Sequence, residues 1–281
     1  MRIGIIGYGF VGRALASGLK KNVDVLKVDP ILKNDIESLK EFKPDICFIC
    51  VPTPMNDDGS QDISILEEVV KKILLNSIKS QIVIKSTILP NNINKFKKLI
   101  PSLVINPEFL RERYAQEDFI NSDLIIFGGS KKTTEKVSNF YKKYTKCKSK
   151  EHKFTDLVSA CLIKYSINAF LSLKVIFFNQ LHEIFSASDT SIEWSNFIEI
   201  IGTDIRIGKS HMEVPGYDGK FGFGGACFPK DCNALIRYSG DIGKPFDLLK
   251  KSTEINNKIR KKYKKLSKRE EEQNIRYNLK N

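Results

Sequence analysis

The chain opens with Arg2-Ile3-Gly4-Ile5-Ile6 and continues into Gly7-Tyr8-Gly9-Phe10-Val11-Gly12. A β-branched run, three glycines at G-x-G-x-x-G spacing and a following apolar stretch are compatible with few folds. The spacing predicts a strand, a tight turn and a helix. Gly7 makes the turn, Gly9 lets bare backbone approach a pyrophosphate, and Gly12 lets helix and strand pack closely. The helix start at Phe10 and Val11 then presents partial positive charge to the phosphates. Asp29 ends the next strand, 17 residues after Gly12. A carboxylate there accepts hydrogen bonds from both adenosine ribose hydroxyls and repels a 2′-phosphate, so the expected cofactor is NAD rather than NADP.

The same rhythm continues to about residue 130. RIGIIG, VDVLKVD, DICFICV, QIVIKS, SLVIN and DLIIFGG read as strands, and residues 10–21, 62–77 and 91–100 as helices, which together predict a parallel sheet. Asp62 is the expected N-cap of the second helix, and Pro90 and Pro101 mark other boundaries. Residues 149–153 turn polar. One apolar pattern then runs from Asp156 to about Ala187 at the period of a mostly buried helix. The expected class is α/β: a Rossmann-like parallel-sheet domain over 1–150, then an all-helical central domain over 151–257 with one long helix, and a basic tail over 258–281.

Length agrees, since 281 residues at about 150 per domain give two. With 6 cysteines the chain is no disulfide scaffold, and no run reaches the ~18 uninterrupted apolar residues of a membrane span. The N-terminus lacks the apolar core and cleavage site of a secretory signal, so the expected compartment is the cytoplasm, with reduced thiols. A net charge of +13 would suggest a nucleic-acid partner, but its distribution argues otherwise. From Lys250 onward there are 12 Lys/Arg against 4 Asp/Glu, so most of the excess sits at the end of the chain. That end reads as a solvated helix or frayed terminus rather than a polyanion-binding arm. Neither nucleic acid nor a membrane is an expected partner.

Chemistry-bearing residues fall at predicted strand ends, where open α/β sheets bind ligands. Val51-Pro52-Thr53-Pro54 follows DICFICV, Lys85-Ser86-Thr87 follows QIVIK, and Asn106-Pro107-Glu108-Phe109-Leu110-Arg111-Glu112 follows SLVI. Beside apolar Phe109, Glu108 is a candidate general base, though spacing equally allows a surface turn. Lys164 and Asn168 stand i and i+4 on one face of the long helix. A buried amine there needs an anionic partner, which points to a site, while a snorkelling lysine is the alternative. The densest signal is Phe221-Gly-Phe-Gly-Gly-Ala-Cys227-Phe-Pro229-Lys230-Asp231. Three glycines bring backbone close to something, and Pro229 suits the first turn of a helix through CNALIRY. Cys227, just ahead of that helix and of Lys230, is the nucleophile candidate. Cys232 reads as buried filler. Cys47 and Cys50 form a C-x-x-C, but on a strand they point to opposite faces, and the three histidines are scattered, so no metal is expected.

Taken in order, GYGFVG, VPTP, KST, NPEFLRE, KYSINAF, GTDIRIG and GFGGACFPKD resemble the UDP-glucose/GDP-mannose dehydrogenase family over residues 1 to about 240. The resemblance implies an NAD-binding Rossmann domain, a central helical dimerisation domain and a third domain that grips the nucleotide. It also implies four-electron oxidation of a UDP-sugar C6 alcohol to the carboxylate with two NAD in turn. Asp231 acting through a water, or Lys164, would help remove the hydroxyl proton. Cys227 would carry the thiohemiacetal and thioester, Glu108 would activate the hydrolytic water with Thr87 placing it, and Lys164 and Asn168 would hold the oxyanion. Gly7, Gly9, Gly12, Asp29, Thr53, Thr87 and Glu112 match cofactor-contacting positions. Glu108, Phe109, Leu110, Lys164, Asn168, Phe221, Gly222 and Gly225 match the sugar side, and Arg206 matches an arginine that reaches across a homodimer.

Two departures stand out. The interval from Arg206 to Cys227 is a few residues longer than in many relatives. Only 49 residues follow Cys232, against the roughly 100 or more that a third domain needs. The expectation is that the nucleotide-gripping domain is missing and that the nucleotide is held by the central domain, the dimer partner or another chain. UDP-glucose is the simplest substrate. GDP-mannose or a UDP-N-acetylhexosamine, a single-step β-hydroxyacid-type dehydrogenase, and a truncated inactive nucleotide-binding homologue remain alternatives.

Overall fold

The computed structural model describes residues 1–278. Two compact units are formed, one by residues 1–53 with 62–164, the other by residues 54–61 with the chain from 165 onward.

The first unit is built on a seven-stranded sheet. Its elements in chain order are β1 (Arg2–Ile6), α1 (Phe10–Ser17), β2 (Asp24–Val28), α2 (Ser38–Phe42), β3 (Ile46–Ile49), α3 (Ser64–Leu75), β4 (Gln81–Ile84), α4 (Pro90–Leu99), β5 (Val104–Ile105), α5 (Ala115–Asn121), β6 (Ile126–Gly128), α6 (Lys131–Tyr144) and β7 (Lys153–Thr155). The strand order is β2-β1-β3-β4-β5-β6-β7. Central strands are apolar throughout because both faces are covered, as parallel sheets require. Ile49, Ile82 and Ile84 face one core, and Ile3, Ile5, Phe48 and Val83 the other. Strand alternation sends Cys47 to the first and Cys50 to the second.

All six expected strands form, and the α/β architecture is the one read from the sequence. The sheet is not wholly parallel, however: β6 joins β5 antiparallel, and β7 runs parallel to β6. Hydropathy carries no strand direction, and two-residue β5 contributes a single pair to this join, Ile105 with Gly128. Edge strand β7 was not expected; it has three residues in a polar stretch, too few to show a period. Helix α1 stops earlier than residue 21, at Gly18, where a Cβ would lie 2.3 Å from the Phe119 ring of α5. The N-cap of α3 is Ile63; Asp62 stands one residue outside and accepts from the Ser64 amide at 2.8 Å.

The long helix α7 (Leu157–Ala187) begins in the first unit and continues from Tyr165 in the second, which adds α8 (Trp194–Gly202), α9 (Phe228–Asp241), α10 (Asp247–Arg260) and α11 (Lys268–Glu272). By length, and with a mean hydropathy of 1.5 over an 18-residue stretch, α7 would suit a bilayer. Its polar side chains are instead satisfied by the protein, as in a core helix: Lys174 donates to the carbonyls of Ile207 and Gly208, and Ser172 to that of Ala169. The end of the chain differs from the solvated or frayed tail that composition predicts. Arg260, Glu270, Ile275 and Tyr277 are buried, while the intervening lysines are largely exposed. Opposite charges within the segment compensate one another, and net charge does not report that. Residues 279–281 of the expected tail lie outside the described residues.

His152 tests the packing of the first unit. It is buried against the rings of Phe127 and Tyr141, its Nδ1 pairs with the Ser138 hydroxyl at 2.8 Å, and its Nε2 has no partner among the described residues. Burial, with Lys142 and Lys150 nearby, pushes its pKa down to about 4. The unfolded chain therefore binds the proton first as pH falls. Stability is full above pH 6.5 and declines toward pH 4, by up to about 3 kcal/mol. Urea titrations across this range will show that slope, and His152→Phe will flatten it.

Candidate active site

In the first unit the glycines behave as their spacing requires. Gly7 has φ +88°, and a Cβ there would come within 2.8 Å of the Cys50 backbone, where the chain leaves β1 and β3 at the reversal of strand order. A Cβ on Gly12 would sit 2.2 Å from the Gly7 carbonyl oxygen, whereas at Gly9 nothing lies within 4 Å. Only the middle glycine faces open space, which suits close approach of a pyrophosphate. Asp29 accepts from the Tyr8 amide at 2.7 Å and the Ile31 amide at 2.9 Å. A carboxylate has about four acceptor sites, so two remain for ribose hydroxyls. The Thr53 hydroxyl donates to the Thr87 carbonyl at 2.8 Å and joins those two loops. Phe10 and Glu112 line one open cavity of about 400 Å³ with Arg13 and Tyr114, and Val11 packs on the core beneath. These residues fit a dinucleotide.

Glu108 occupies no surface turn. It is buried, and so is Lys164, whose Nζ donates to the Glu108 carbonyl at 2.7 Å and to Oε1 at 3.2 Å. Oε2 accepts from the Leu110 amide at 2.6 Å, and the ammonium lies 5.3 Å from the centre of the Phe109 ring. The anionic partner that burial demands of Lys164 is therefore Glu108, and the snorkelling alternative is excluded. Beneath the turn, buried Lys85 donates to the Asn106 side-chain oxygen at 2.9 Å, Tyr141 donates to the same oxygen at 2.6 Å, and Asn106 donates to the Ile126 carbonyl. Burial lowers the Lys85 pKa. Its place in the Lys85-Ser86-Thr87 run after a strand gives no sign of this supporting role.

In the second unit Asn168 stands one turn beyond Lys164 on α7 and donates to Asp231 Oδ2 at 2.6 Å, while Lys230 donates to Asp231 Oδ1 at 2.6 Å. Asp231 is 2% exposed. Cys227 is the N-cap of α9 and partly exposed, and Pro229 lies in the first turn. The helix terminus favours negative charge at that position. Cys232, buried within α9, donates to the Ser172 hydroxyl, and burial pushes its pKa up to about 12.

The backbone of the glycine-rich loop is held at close intervals. The amide of Phe221 donates to the Tyr263 hydroxyl, that of Gly222 to Asn179, that of Phe223 to Asn256, and that of Gly225 to Glu270. None of these partners was identified from sequence. Asn179, Asn256 and Tyr263 carry no local signature. Glu270 does, because Ser267-x-x-Glu270 has capping-box spacing. Arg206 is exposed and pairs with Asp204 in its own turn, and no bond joins it to the other predicted site residues of its unit. Among the described residues, no group of three or more His, Cys, Asp or Glu is placed to hold a metal.

The sheet and its glycine loop define a Rossmann-type dinucleotide-binding protein. The chain belongs to the UDP-glucose/GDP-mannose dehydrogenase family: residues 32–145 match its NAD binding domain and residues 158–258 its central domain. It is 28% identical to the UDP-glucose 6-dehydrogenase YwqF of Bacillus subtilis, over 92% of this chain and 66% of that protein. It is 39% identical to the UDP-glucose 6-dehydrogenase of Rickettsia bellii, over 67% of this chain and 43% of that protein. A UDP-glucose dehydrogenase structure from the archaeon Pyrobaculum islandicum matches with a TM-score of 0.76 at 26% identity, covering 92% of this chain and 68% of that one. The chain thus spans just under two thirds of the first relative's length and less of the second's. NAD is the cofactor for which the N-terminal domain of this family is named.

Thiol accessibility distinguishes the six cysteines. Burial pushes Cys47 up to about 11 and Cys50, Cys161 and Cys232 up to about 12, and it also raises Cys147. Iodoacetamide at pH 7.5 will label the native protein at Cys227 alone, as read by peptide mass spectrometry.

Proposed function

We propose that the chain catalyses NAD-dependent, four-electron oxidation of a nucleotide-sugar C6 alcohol to the carboxylate, with UDP-glucose to UDP-glucuronate as the simplest case. The observation that carries this reading is the partly exposed Cys227 thiol at the start of α9, one turn ahead of buried Asp231. Oxidation of an alcohol to a carbonyl needs no thiol, whereas passage on to an acid is served by one.

Bound NAD supplies the hydride acceptor for each oxidation, one molecule after the other. Gly7, Gly9, Phe10, Val11, Gly12, Asp29, Thr53, Thr87 and Glu112 are the residues that would hold it. Asp231, fixed by Asn168 and Lys230, takes the alcohol proton through a water as the alcohol becomes the aldehyde; Lys164 is the other candidate. The Cys227 sulfur adds to the aldehyde carbon, and loss of a second hydride and proton leaves a thioester. Water activated by Glu108 and placed by Thr87 cleaves that bond, releasing the carboxylate and restoring the thiol. Lys164 and Asn168 steady the oxyanions. The Asn168 amide has two donors and spends one on Asp231, which leaves the other for an oxyanion. Losing one such donor costs about 3–4 kcal/mol, or 10²- to 10³-fold in rate. Phe109, Leu110, Phe221, Gly222 and Gly225 contact the sugar, and Arg206 serves a partner subunit. A homodimer through the central domain fits the exposed Phe170, Phe177 and Ile184 of α7, and the cytoplasm is the compartment that reduced thiols require.

Assays with UDP-glucose, UDP-N-acetylhexosamines and GDP-mannose will give two NADH per sugar, and Cys227→Ala will abolish steady turnover. One NADH per substrate would instead support the β-hydroxyacid-type reaction. NAD binding without any NADH from the whole panel would support a silent nucleotide-binding homologue.

A further inference from the structure

The segment from Arg260, the last residue of α10, onward has no part in the chemistry above, yet its buried side chains end on the loop that carries Cys227. Glu270 is 1% exposed. Its Oε2 closes the capping box of α11 by accepting from the Ser267 amide at 2.7 Å. Its Oε1 accepts from the Gly225 amide at 3.1 Å, from Arg260 Nη2 at 3.2 Å and from the Tyr277 hydroxyl at 2.6 Å. Arg260, also buried, donates from both terminal nitrogens to Asp218 Oδ2 at 2.9 Å and from Nη1 to the Phe221 carbonyl at 3.5 Å. One buried ion pair therefore grips the loop at residues 218, 221 and 225.

The loop backbone lies directly on that pair. A Cβ at Gly224 would stand 1.9 Å from Arg260 Nη2 and 2.8 Å from Glu270 Oε1. Gly222 and Gly225 have φ of +74° and +78°, a region open to glycine but one of many it can sample. Such a loop has one shape only if something outside it fixes the amides. Burial alone would raise the Glu270 pKa; the bonds from Ser267, Tyr277 and Gly225 outweigh it and bring the value down to about 2. The group is thus a carboxylate wherever an enzyme works. The segment is itself anchored on its far side, where the Gln273 carbonyl accepts from the Met55 amide and Asn274 donates to the Met55 carbonyl. Replacing a buried ion pair by apolar groups is often neutral for stability, so fixed geometry is the more specific contribution of this one.

We propose that Glu270 is a positioning residue for Cys227: through Gly225 and Arg260, residues 260–277 hold the glycine-rich loop in the shape that keeps the thiol at the N-terminus of α9. Its consequence for turnover rests on reading Cys227 as the nucleophile, whereas its consequence for the thiol does not. The test uses the full chain and iodoacetamide. The rate at which Cys227 alkylates is followed from pH 6 to 10 by peptide mass spectrometry, with far-UV circular dichroism as the check of folding. In Glu270→Ala the rate at pH 7 will fall about fivefold or more and the pH midpoint will move up, with Glu270→Asp restoring part of both. With the sugar nucleotide that turns over, kcat will fall at least tenfold while the KM for NAD stays within twofold. A folded Glu270→Ala with the wild-type alkylation profile overturns the proposal. Should that variant not fold, Glu270→Gln and Tyr277→Phe decide it in the same way, since each weakens the cluster without emptying it. A wild-type chain that oxidises no sugar nucleotide would remove the proposed function and leave the alkylation result to judge this inference alone.

Discussion

An ammonium on an apolar helix has to find a carboxylate before the chain can close around it, and Lys164 sets that requirement for the first unit. Its partner Glu108 lies on a turn that hydropathy would leave in solvent. With Lys164 bound to both the carbonyl and the carboxylate of Glu108, the turn is drawn inward. Uncompensated, either charge in that interior would cost several kcal/mol. The turn is also held from beneath, because Lys85 and Tyr141 converge on the Asn106 side-chain oxygen. The turn is thus held by two amines, Lys164 paired with the Glu108 carboxylate and Lys85 bonded to neutral groups beneath it.

The second unit solves a related problem with backbone. Gly222 and Gly224 ahead of Cys227 let the chain pass close to Asn256, Arg260 and Glu270, where a Cβ would collide. The same freedom deprives the loop of a preferred shape. Side-chain oxygens of Asn179, Asn256, Glu270 and Tyr263 supply the shape by accepting successive amides. In both units, candidate site groups are therefore held by side chains that come from elsewhere in the sequence.

What the sequence disclosed follows from what each residue needs locally. The Gly7, Gly9 and Gly12 spacing was legible because each glycine answers a separate steric demand within a few residues. Strands β1 and β3 to β6 were legible because burial on both faces leaves continuous apolar runs. The pairing of Lys164 with Glu108 was foreseen only as a need for some anion, since 56 residues of chain separate the two. The link from Asn168 to Asp231 was not foreseen, although both had been named, because long-range contacts leave no periodicity. Strand direction at β6 and the helix end at Gly18 were lost for the same reason, since each is decided by a neighbour that is remote in sequence, whereas β7 is too short to show a period.

The basic end of the chain shows how composition misleads. Counting charge treats Arg260 and Lys261 alike, yet the first is buried in a fork of Asp218 and Glu270 and the second is exposed. Arginine suits such a site because its planar fork donates in several fixed directions and stays charged when buried. Lysines on either side keep the segment soluble without specifying its fold. The specifying residues are few: Ser267 and Glu270 start α11, Arg260 and Tyr277 meet on the Glu270 carboxylate, and buried Ile275 donates its amide to the Glu270 carbonyl. A net charge of +13 therefore describes mainly the solvent face of this chain, and the acidic residue that orders its end is one that the count subtracts.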